Sequence, residues 1–291
     1  MKLKRVTVVL LSLVLLFSLA SCGLTTTTEG LVCTLNGNRR TYTLKRYEPC
    51  GEECKGELCE EGHVVHPTSV VVDYYKKWPV SHIGNDAFKD CTHIEFLELG
   101  ELVQYVEGGA FSGCTSLQSV TFGKELVKIG VKAFYGCESL VTVELPDGVM
   151  EIGNEAFSNC SAMTSITLSE QLVKIGGAAF KGCTDIKEIT VPDNVTEIGS
   201  EAFSDCKSLT SIVVGANVTK IGLSAFSNCD KLRAVYYAGS LTGKERNALF
   251  NQKTGKDNSK RLTTMVYAYS EEAPTESGKF WHYVDGVPTA W

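Results

Sequence analysis

The chain has no strongly basic segment, which bears directly on its partners. Its 34 aspartate and glutamate residues outnumber its 28 lysine and arginine residues, giving a formal net charge of −6 at pH 7. Proteins that bind nucleic acids concentrate positive charge where the phosphates lie. The sequence therefore argues against nucleic acid as a partner.

Motifs of catalysis and cofactor binding are also missing. There is no Gly-x-Ser-x-Gly elbow, no His-Glu-x-x-His pair, no phosphate-binding glycine loop and no Gly-x-Gly-x-x-Gly fingerprint. Catalytic triads depend on geometry rather than on sequence order, but most of the chain is repetitive. We expect no enzymatic activity, no bound metal and no cofactor.

The longest apolar run, Val6–Ala20, has only 15 residues. A helix that crosses a bilayer needs about 20 apolar residues, so a permanent transmembrane span is disfavoured. Lys2, Lys4 and Arg5 precede the run and small residues follow it. This arrangement predicts a secretory signal peptide over residues 1–21.

The residues at the predicted cleavage site are Leu19-Ala20-Ser21-Cys22. They resemble the lipobox of bacterial lipoproteins, in which cleavage precedes the cysteine and its sulfur receives a diacylglyceryl group. The resemblance implies lipid attachment at Cys22, with Thr25–Thr28 as a short tether. The alternative is a cysteine that merely follows a cleavage site.

A 23-residue repeat occupies the body of the chain. Ala-Phe recurs seven times at this spacing without an insertion, and a cysteine lies three residues after each phenylalanine. The phenylalanines are Phe88, Phe111, Phe134, Phe157, Phe180, Phe203 and Phe226. Ile-Gly precedes Ala-Phe in six units, with Val106-Glu107 as the exception. A fixed period in this range is typical of a solenoid.

Apolar residues recur at fixed positions of the unit, numbered here from the isoleucine of Ile-Gly. They fall at positions 1, 5, 6, 9, 12, 15, 17 and 21. The later part alternates like a strand with one buried face, and Ala-Phe-x-x-Cys predicts a single helical turn. Burial in one unit offers about 12–24 kcal/mol against about 23–46 kcal/mol of backbone entropy. One unit alone should not fold.

This pattern resembles the leucine-rich repeat class, and Ile-Gly-x-x-Ala-Phe-x-x-Cys resembles the BspA-like family of bacterial surface proteins. The resemblance covers about residues 64–239. It implies an α/β solenoid, a leucine-rich repeat superhelix of about seven 23-residue coils with a parallel β-sheet face, capped at both ends. Residues 22–63 are predicted to be a tether and a cysteine-rich N-terminal cap. Residues 240–291 are predicted to be a C-terminal aromatic cap with a hairpin.

Seven cysteines lie in register along the repeat, at position 9 of each unit. Side chains stacked in a ladder point the same way, so their Cβ atoms are too far apart for disulfides. We predict buried thiols that pack as small apolar groups, rather than a metal ladder or a disulfide chain. They are Cys91, Cys114, Cys137, Cys160, Cys183, Cys206 and Cys229.

A second group of cysteines precedes the repeat: Cys33, Cys50, Cys54 and Cys59. Because exported chains meet oxidising conditions, two disulfides that close this end are the first interpretation. A zinc site with His63 and His66 is an alternative, although the His-x-x-His spacing is shorter than usual. The third interpretation is that these four cysteines are unpaired thiols.

Charges alternate in sign at position 23, in the order Lys128, Glu151, Lys174, Glu197 and Lys220. Stacked strands lie about 4.8 Å apart, so each charge has opposite charges above and below it. We interpret this column as a device that fixes register, worth about 0.2–1 kcal/mol per exposed pair. A binding stripe is the alternative.

The period ends at Tyr237, and the segment that follows is rich in aromatic residues. The sequence predicts a short helix, a strand and a hairpin, over residues 244–251, 263–269 and 280–289 respectively, with Asp285-Gly286 at the hairpin turn. The aromatic residues predict either a hydrophobic lid over the last coil or a carbohydrate-binding platform built from Trp281, Tyr283 and Trp291.

The lipobox resemblance implies a lipid anchor, and the BspA-like resemblance implies a protein displayed on the cell surface that binds macromolecules. Adhesion to host proteins or other cells is the expected role, an extracellular protein or cell-surface molecule is the expected partner, and the lipid anchor is the expected membrane contact. One alternative is a structural spacer without a ligand. The other is a glycan-binding or enzymatic module in the C-terminal segment.

The candidate binding residues lie at position 16, whose side chains should point away from the core on one continuous sheet face. They are Glu98, Thr121, Glu144, Thr167, Thr190, Val213 and Tyr236. Position 14 flanks them with Phe96, Ser119, Thr142, Ser165, Glu188 and Ser211. Val213 and Tyr236 are the predicted anchors, because hot spots favour tyrosine and buried apolar contact. The threonines and serines also fit simple strand propensity.

Overall fold

A computed structural model describes residues 25–28, 31–35, 42–47, 69–72, 74–75, 78–241, 243–250, 266–274, 278–285 and 287–291, with side chains from Val80 onward except at residues 243, 247 and 248. The predicted signal peptide, Cys22, Cys50, Cys54 and Cys59 lie outside the described residues. Within these ranges, no helix combines the length and apolar character that crossing a membrane requires.

The first strands of the chain lie beside the solenoid. They are β1 (Thr25–Thr28), β2 (Leu31–Leu35), β3 (Tyr42–Tyr47), β4 (Ser69–Val72), β5 (Tyr74–Tyr75) and β6 (Trp78–Ile83). Strand β2 pairs antiparallel with both β1 and β3, and β3 runs parallel to β6. Thr25–Thr28, which the sequence analysis expected to be a short tether, forms strand β1. Threonine is β-branched and favours this conformation. Cys33 lies in β2, at a position where only the backbone is described.

Each coil of the repeat contributes a strand over positions 14–17. These strands are β7 (Phe96–Leu99), β9 (Ser119–Thr121), β11 (Thr142–Glu144), β13 (Ser165–Thr167), β15 (Glu188–Val191), β17 (Ser211–Val214) and β19 (Ala234–Tyr237). Paired residues in neighbouring parallel strands are 23 positions apart, as Val143 and Ile166 are. The fixed period of the sequence thus becomes a fixed register.

A second, shorter strand begins at position 23 of the first six units. This row comprises β8 (Tyr105–Val106), β10 (Lys128–Ile129), β12 (Glu151–Ile152), β14 (Lys174–Ile175), β16 (Glu197–Ile198) and β18 (Lys220–Ile221). It continues through β6 to the N-terminal strands in one sheet. Two strands per coil make the body a β-solenoid of about seven turns, which confirms the predicted repeat architecture.

The first strand row is divided, although the sequence predicts one continuous sheet face. Strands β4 to β13 form a five-stranded sheet, and a six-stranded sheet starts at β15. No paired register joins β13 to β15. Twist accumulates from strand to strand, and ladders of three or four residues have few hydrogen bonds with which to resist it. The face therefore has a boundary between β13 and β15, the fourth and fifth of the seven repeat strands.

The Ala-Phe-x-x-Cys segment does not form the predicted helical turn. In one coil, the N–H groups of Lys132, Phe134 and Gly136 donate to carbonyls of the next coil at 2.7–2.9 Å. Lys132 and Gly136, at positions 4 and 8, have positive φ angles of 58° and 69°. Position 8 is glycine, asparagine or aspartate in all seven units, the residues that tolerate this conformation best. Bonds between coils alternate with local bonds, such as the 3.1 Å bond from the Tyr135 N–H to the Lys132 carbonyl, so the segment is a series of turns and not a helix.

Phenylalanine rings form the centre of the core. The seven Ala-Phe phenylalanines are buried and stack in one column, with neighbouring ring centroids 4.9–5.6 Å apart and ring planes within 14° of parallel. The apolar side chains at the other repeat positions pack around them in one continuous cluster. Each coil therefore depends on its neighbours for burial.

The C-terminal segment extends the sheet that begins at β15. It contains α1 (Gly243–Leu249), β20 (Val266–Tyr269), β21 (Phe280–Val284) and β22 (Val287–Ala290). Strand β20 runs parallel to β19, β21 runs parallel to β20, and β22 pairs antiparallel with β21. The predicted helix, strand and hairpin are present in the described residues, and residues 251 and 263–265 of the predicted helix and strand lie outside them.

Candidate functional site

The exposed residues at positions 14 and 16 form what we call the strand face. Glu98, Thr121, Glu144, Thr167 and Thr190 are exposed there at position 16. Strand alternation explains this, because the residues between them point into the core. Three carboxylates lie on the face, those of Glu98, Glu144 and Glu188, and neither position holds a lysine or an arginine. The face is therefore acidic.

The two predicted anchors are not exposed. Val213 is 7% exposed and Tyr236 is half-buried. The Tyr236 ring packs against Tyr267 and Trp281, with centroids 5.5 and 5.4 Å away. The C-terminal segment folds over this end of the row and shields both side chains from solvent, and their role as anchors stays a prediction.

The aromatic residues that cover this end are Tyr267, Tyr269, Trp281 and Tyr283, which we call the aromatic cover. Trp281 is fully buried, and its Nε1 donates a hydrogen bond of 3.1 Å to the Tyr237 carbonyl. Trp281 is thus unavailable to the platform predicted with Tyr283 and Trp291. Tyr283 remains 47% exposed, and Trp291 stacks on His282 with centroids 3.8 Å apart.

A cleft of about 340 Å³ lies between the aromatic cover and the solenoid. Tyr269 and Tyr283 form one side. The ends of β15 and β17 and the turns after them form the other side, together with Glu170 from the preceding coil. The lining residues are Glu170, Thr190, Val191, Pro192, Asp193, Val213, Ala216, Ala238, Tyr269 and Tyr283. Thr190 also belongs to the strand face, so the cleft and the face are continuous.

Two carboxylates give the cleft its charge. Glu170 and Asp193 occupy position 19 of successive coils and are exposed. One oxygen of Asp193, Oδ1, accepts a 2.7 Å hydrogen bond from the Ala216 N–H, which fixes the side chain. Burial, followed by the charge of Asp193, raises the pKa of Tyr283. The phenol and the carboxylates thus share one electrostatic environment.

The column at position 23 is paired within itself. Lys128 Nζ lies 2.9 Å from Glu151, while Glu197 lies 3.6 Å from Lys174 and 2.8 Å from Lys220. The hydrogen bond from Lys220 is the largest influence that lowers the pKa of Glu197. These contacts join neighbouring coils, which supports the interpretation as a register device.

The repeat cysteines are free and buried, and no group of three histidine, cysteine or acidic side chains suited to a metal ion occurs in the part of the chain that is described. Each thiol from Cys114 onward also has a polar role that the sequence analysis missed. Its Sγ donates to the phenylalanine carbonyl of the preceding coil at 3.0–3.2 Å, as Cys160 does to Phe134. Burial raises the pKa of Cys183 and of Cys229 to about 12. These thiols stay protonated and unreactive at neutral pH.

The repeat matches the family model described as "BspA type Leucine rich repeat region", in six copies over residues 81–210 and 151–258. The chain belongs to the BspA-type leucine-rich repeat family. Members of this family generally mediate protein interactions and are typically found at the cell surface, and their fold is typically a non-enzymatic scaffold. None of the curated proteins matches this BspA-type chain in sequence.

Solved structures of bacterial leucine-rich repeat proteins share this fold. A leucine-rich repeat protein from T. pallidum is 23% identical, with a TM-score of 0.61 over 72% of this chain and 90% of that one. A leucine-rich cell surface protein from Faecalibacterium prausnitzii is 27% identical, with a TM-score of 0.61 over 76% of this chain. The match spans 56% of that second protein.

The sequence analysis did not single out Glu170, Asp193 or Tyr269. The signal for the two carboxylates was available in the repeat itself, because position 19 is acidic in three successive units, at Asp147, Glu170 and Asp193. No periodicity could have indicated Tyr269. It lies outside the repeat and reaches the cleft only through the pairing of β20 with β19.

Proposed function

We propose that this BspA-type protein is an exported lipoprotein, anchored through Cys22, that binds proteins outside the cell through its strand face. The observation that carries the proposal is the row of exposed side chains from Glu98 to Thr190. The stacked coils beneath the row hold these side chains in a fixed geometry, so little conformational entropy is lost when a partner is bound.

The chemistry of the strand face supports a protein partner with basic groups. The carboxylates of Glu98, Glu144 and Glu188 project beside hydroxyl groups, and Phe96 adds an apolar surface that is 43% exposed. Complementary charge steers association and favours one partner over others. Adhesion to host proteins or to other cells is the role that we propose for this surface.

Substitutions on the strand face test the proposal. Cells that display the chain should adhere to immobilised extracellular matrix proteins, and Thr121→Lys with Thr167→Lys should weaken adhesion by placing positive charge on the face. Ser200→Lys, an exposed residue at position 3 of its unit, is the matched control. Undiminished adhesion by the folded double variant would reject the strand face as the binding surface. A folded wild type without adhesion would favour the structural spacer.

The anchor is tested separately. Metabolic labelling with a clickable fatty acid should mark the wild-type chain and leave Cys22→Ala unlabelled. Equal labelling of both chains would contradict lipid attachment at Cys22. This experiment does not depend on whether a protein partner is found.

A further inference from the structure

We propose that the cleft between the aromatic cover and the solenoid receives a lysine or arginine side chain from a protein bound along the strand face. The proposal rests on the proposed function for the nature of the ligand. The cleft itself is defined by Glu170, Asp193, Tyr269 and Tyr283.

The column at position 19 carries more negative than positive charge. In the early coils, Glu101 lies 3.9 Å from Lys124 and is compensated. The next three coils place Asp147, Glu170 and Asp193 one above another, which we call the carboxylate column. No ion pair to any of the three is present among the described residues. Stacked like charges are unfavourable, so an external cation would relieve repulsion already present in the folded chain.

The column at position 23 is arranged differently. Lysine and glutamate alternate there from coil to coil, and their charges pair between neighbouring coils. A carboxylate column in the same solenoid therefore does not follow from the repeat geometry. The two uncompensated carboxylates that reach the cleft provide charge-assisted acceptors for an ammonium or guanidinium group.

Aromatic rings form the side of the cleft that lies opposite the two carboxylates. Tyr269 and Tyr283 are 38% and 47% exposed, and their ring centroids lie 6.4 Å apart. Aromatic faces attract cations, more strongly where water is partly excluded. A cleft of about 340 Å³ is at the small end of ligand pockets, which suits one long side chain. Aromatic rings facing carboxylates thus match the apolar stem and charged head of lysine or arginine.

The position of the cleft fits a ligand that is already on the strand face. Thr190 and Val213 belong to the position 16 row and also line the cleft. A segment that crosses the row toward its C-terminal end would therefore meet the cleft beside the boundary between β13 and β15. Of the two anchors predicted from sequence, Val213 is one of the residues that line the cleft.

Ligand-observed NMR on the full chain in uncharged detergent tests the cleft without a protein partner. The probes are the tripeptides Ac-Gly-Lys-Gly-NH2 and Ac-Gly-Arg-Gly-NH2, with Ac-Gly-Nle-Gly-NH2 as the uncharged control. Saturation transfer should reach the side-chain protons of the two cationic probes and should weaken as salt is added. Equal transfer to the norleucine probe would overturn the proposal.

Variants with neutral side chains distinguish binding in the cleft from unspecific attraction of cations to the acidic surface. The double variant Glu170→Gln with Asp193→Asn should weaken the binding of the cationic probes roughly fivefold to tenfold, as expected for the loss of two partly exposed ion pairs. The asparagine keeps an oxygen that can accept the Ala216 N–H, so the fold is preserved. Asp147→Asn removes the same charge from the same column outside the cleft, and a change below about twofold is expected. Equal losses in both variants would overturn the proposal.

The outcomes distinguish this proposal from the one on which it rests. Loss of cationic binding in Glu170→Gln with Asp193→Asn supports the cleft, whatever the adhesion assays show. If the wild-type chain shows no preference for the cationic probes and the variant adheres as well as the wild type, the strand face stays in place and the cleft alone is overturned. Saturation transfer to N-acetylglucosamine instead of to the cationic probes also overturns it and assigns the cleft to a glycan.

Discussion

The phenylalanine at position 6 is the residue that couples one coil to the next. Phe157 lies between Phe134 and Phe180, with ring centroids 5.3 and 5.6 Å away. Its backbone takes part as well, because the Phe157 N–H donates to Ala179 and its carbonyl accepts from the Cys183 thiol. Side chain and backbone thus serve the same contact between coils.

Replacing Phe157 with alanine should lower the free energy of unfolding by about 3–5 kcal/mol, since a fully buried ring is lost from a stacked column. Hydrogen exchange should accelerate in the coils on both sides. Phe96→Ala is the control, because that ring is 43% exposed and its loss should cost little. Faster exchange confined to residues 152–174 would contradict a shared core.

Because the repeat thiols are buried, we expect the protein to lose stability at alkaline pH. Burial raises the pKa of Cys183 from 9.0 to about 12. Below pH 9.0 the thiol is protonated in both states and has no effect on the pH dependence. Between these two values only the unfolded chain ionises, so the free energy of unfolding should fall as pH rises.

Denaturant unfolding at a series of pH values measures this effect. Cys183→Ala should show a shallower alkaline decline than the wild type, because one proton is removed from the linkage. An identical slope in both chains would mean that this thiol is accessible in the folded state. Alkylation of the native protein gives a second measurement, and the seven repeat thiols should resist it until the chain is denatured.

At the scale of the element, the strand at positions 14–17 was predictable and the turn around position 4 was not. Apolar residues at positions 15 and 17, alternating with polar residues at positions 14 and 16, predict the strand row, because a pleated backbone buries every second residue. The turn escaped prediction because position 4 varies widely, with Lys132, Glu155 and Ala178 all at positive φ. Hydrogen bonds between coils hold this conformation, and a sequence pattern within one unit does not reveal them.

The glycine of Ile-Gly is required by the spacing of the coils. At Gly176, an added Cβ would lie 2.5 Å from the Gly153 carbonyl carbon and 2.6 Å from the Asn154 nitrogen. Both atoms belong to the backbone of the preceding coil and have little room to move. The spacing between coils is therefore set partly by this glycine.

Gly176→Ala should cost about 2–3 kcal/mol through overpacking. Gly136→Ala is the comparison, because a Cβ there would meet nothing within 4 Å and only its positive φ opposes the substitution, at about 1–2 kcal/mol. Thermal unfolding of the two variants measures the difference. A larger loss for Gly136→Ala would show that backbone strain, and not the approach of the coils, explains the glycine.

At the scale of the whole molecule, the C-terminal segment determines which part of the solenoid is accessible. It buries Tyr237 against Phe250 and covers Tyr236 with Trp281. The repeat predicts the strand face well, because each residue of the face has equivalents in other coils. It could not predict the cleft, whose aromatic side comes from outside the period and has no equivalent.

Two tryptophans of this segment should respond differently to truncation. Trp281→Ala removes a fully buried ring and its hydrogen bond to Tyr237, so it should destabilise the last coils by about 3–5 kcal/mol and expose residues 266–291 to proteases. Trp291→Ala removes a ring that is 48% exposed, and its effect should be small. Equal protease resistance in both variants would contradict a structural role for Trp281.

The final strand of the chain has a consequence for association between molecules. A stack of parallel strands in constant register has the geometry from which fibrils grow, and an unpaired edge invites another chain to add to it. Strand β22 lies at the edge of its sheet, runs antiparallel to β21 and contains Pro288. Proline has no N–H to offer an incoming strand. At high local concentration, copies of this protein are thus protected from polymerisation along that edge.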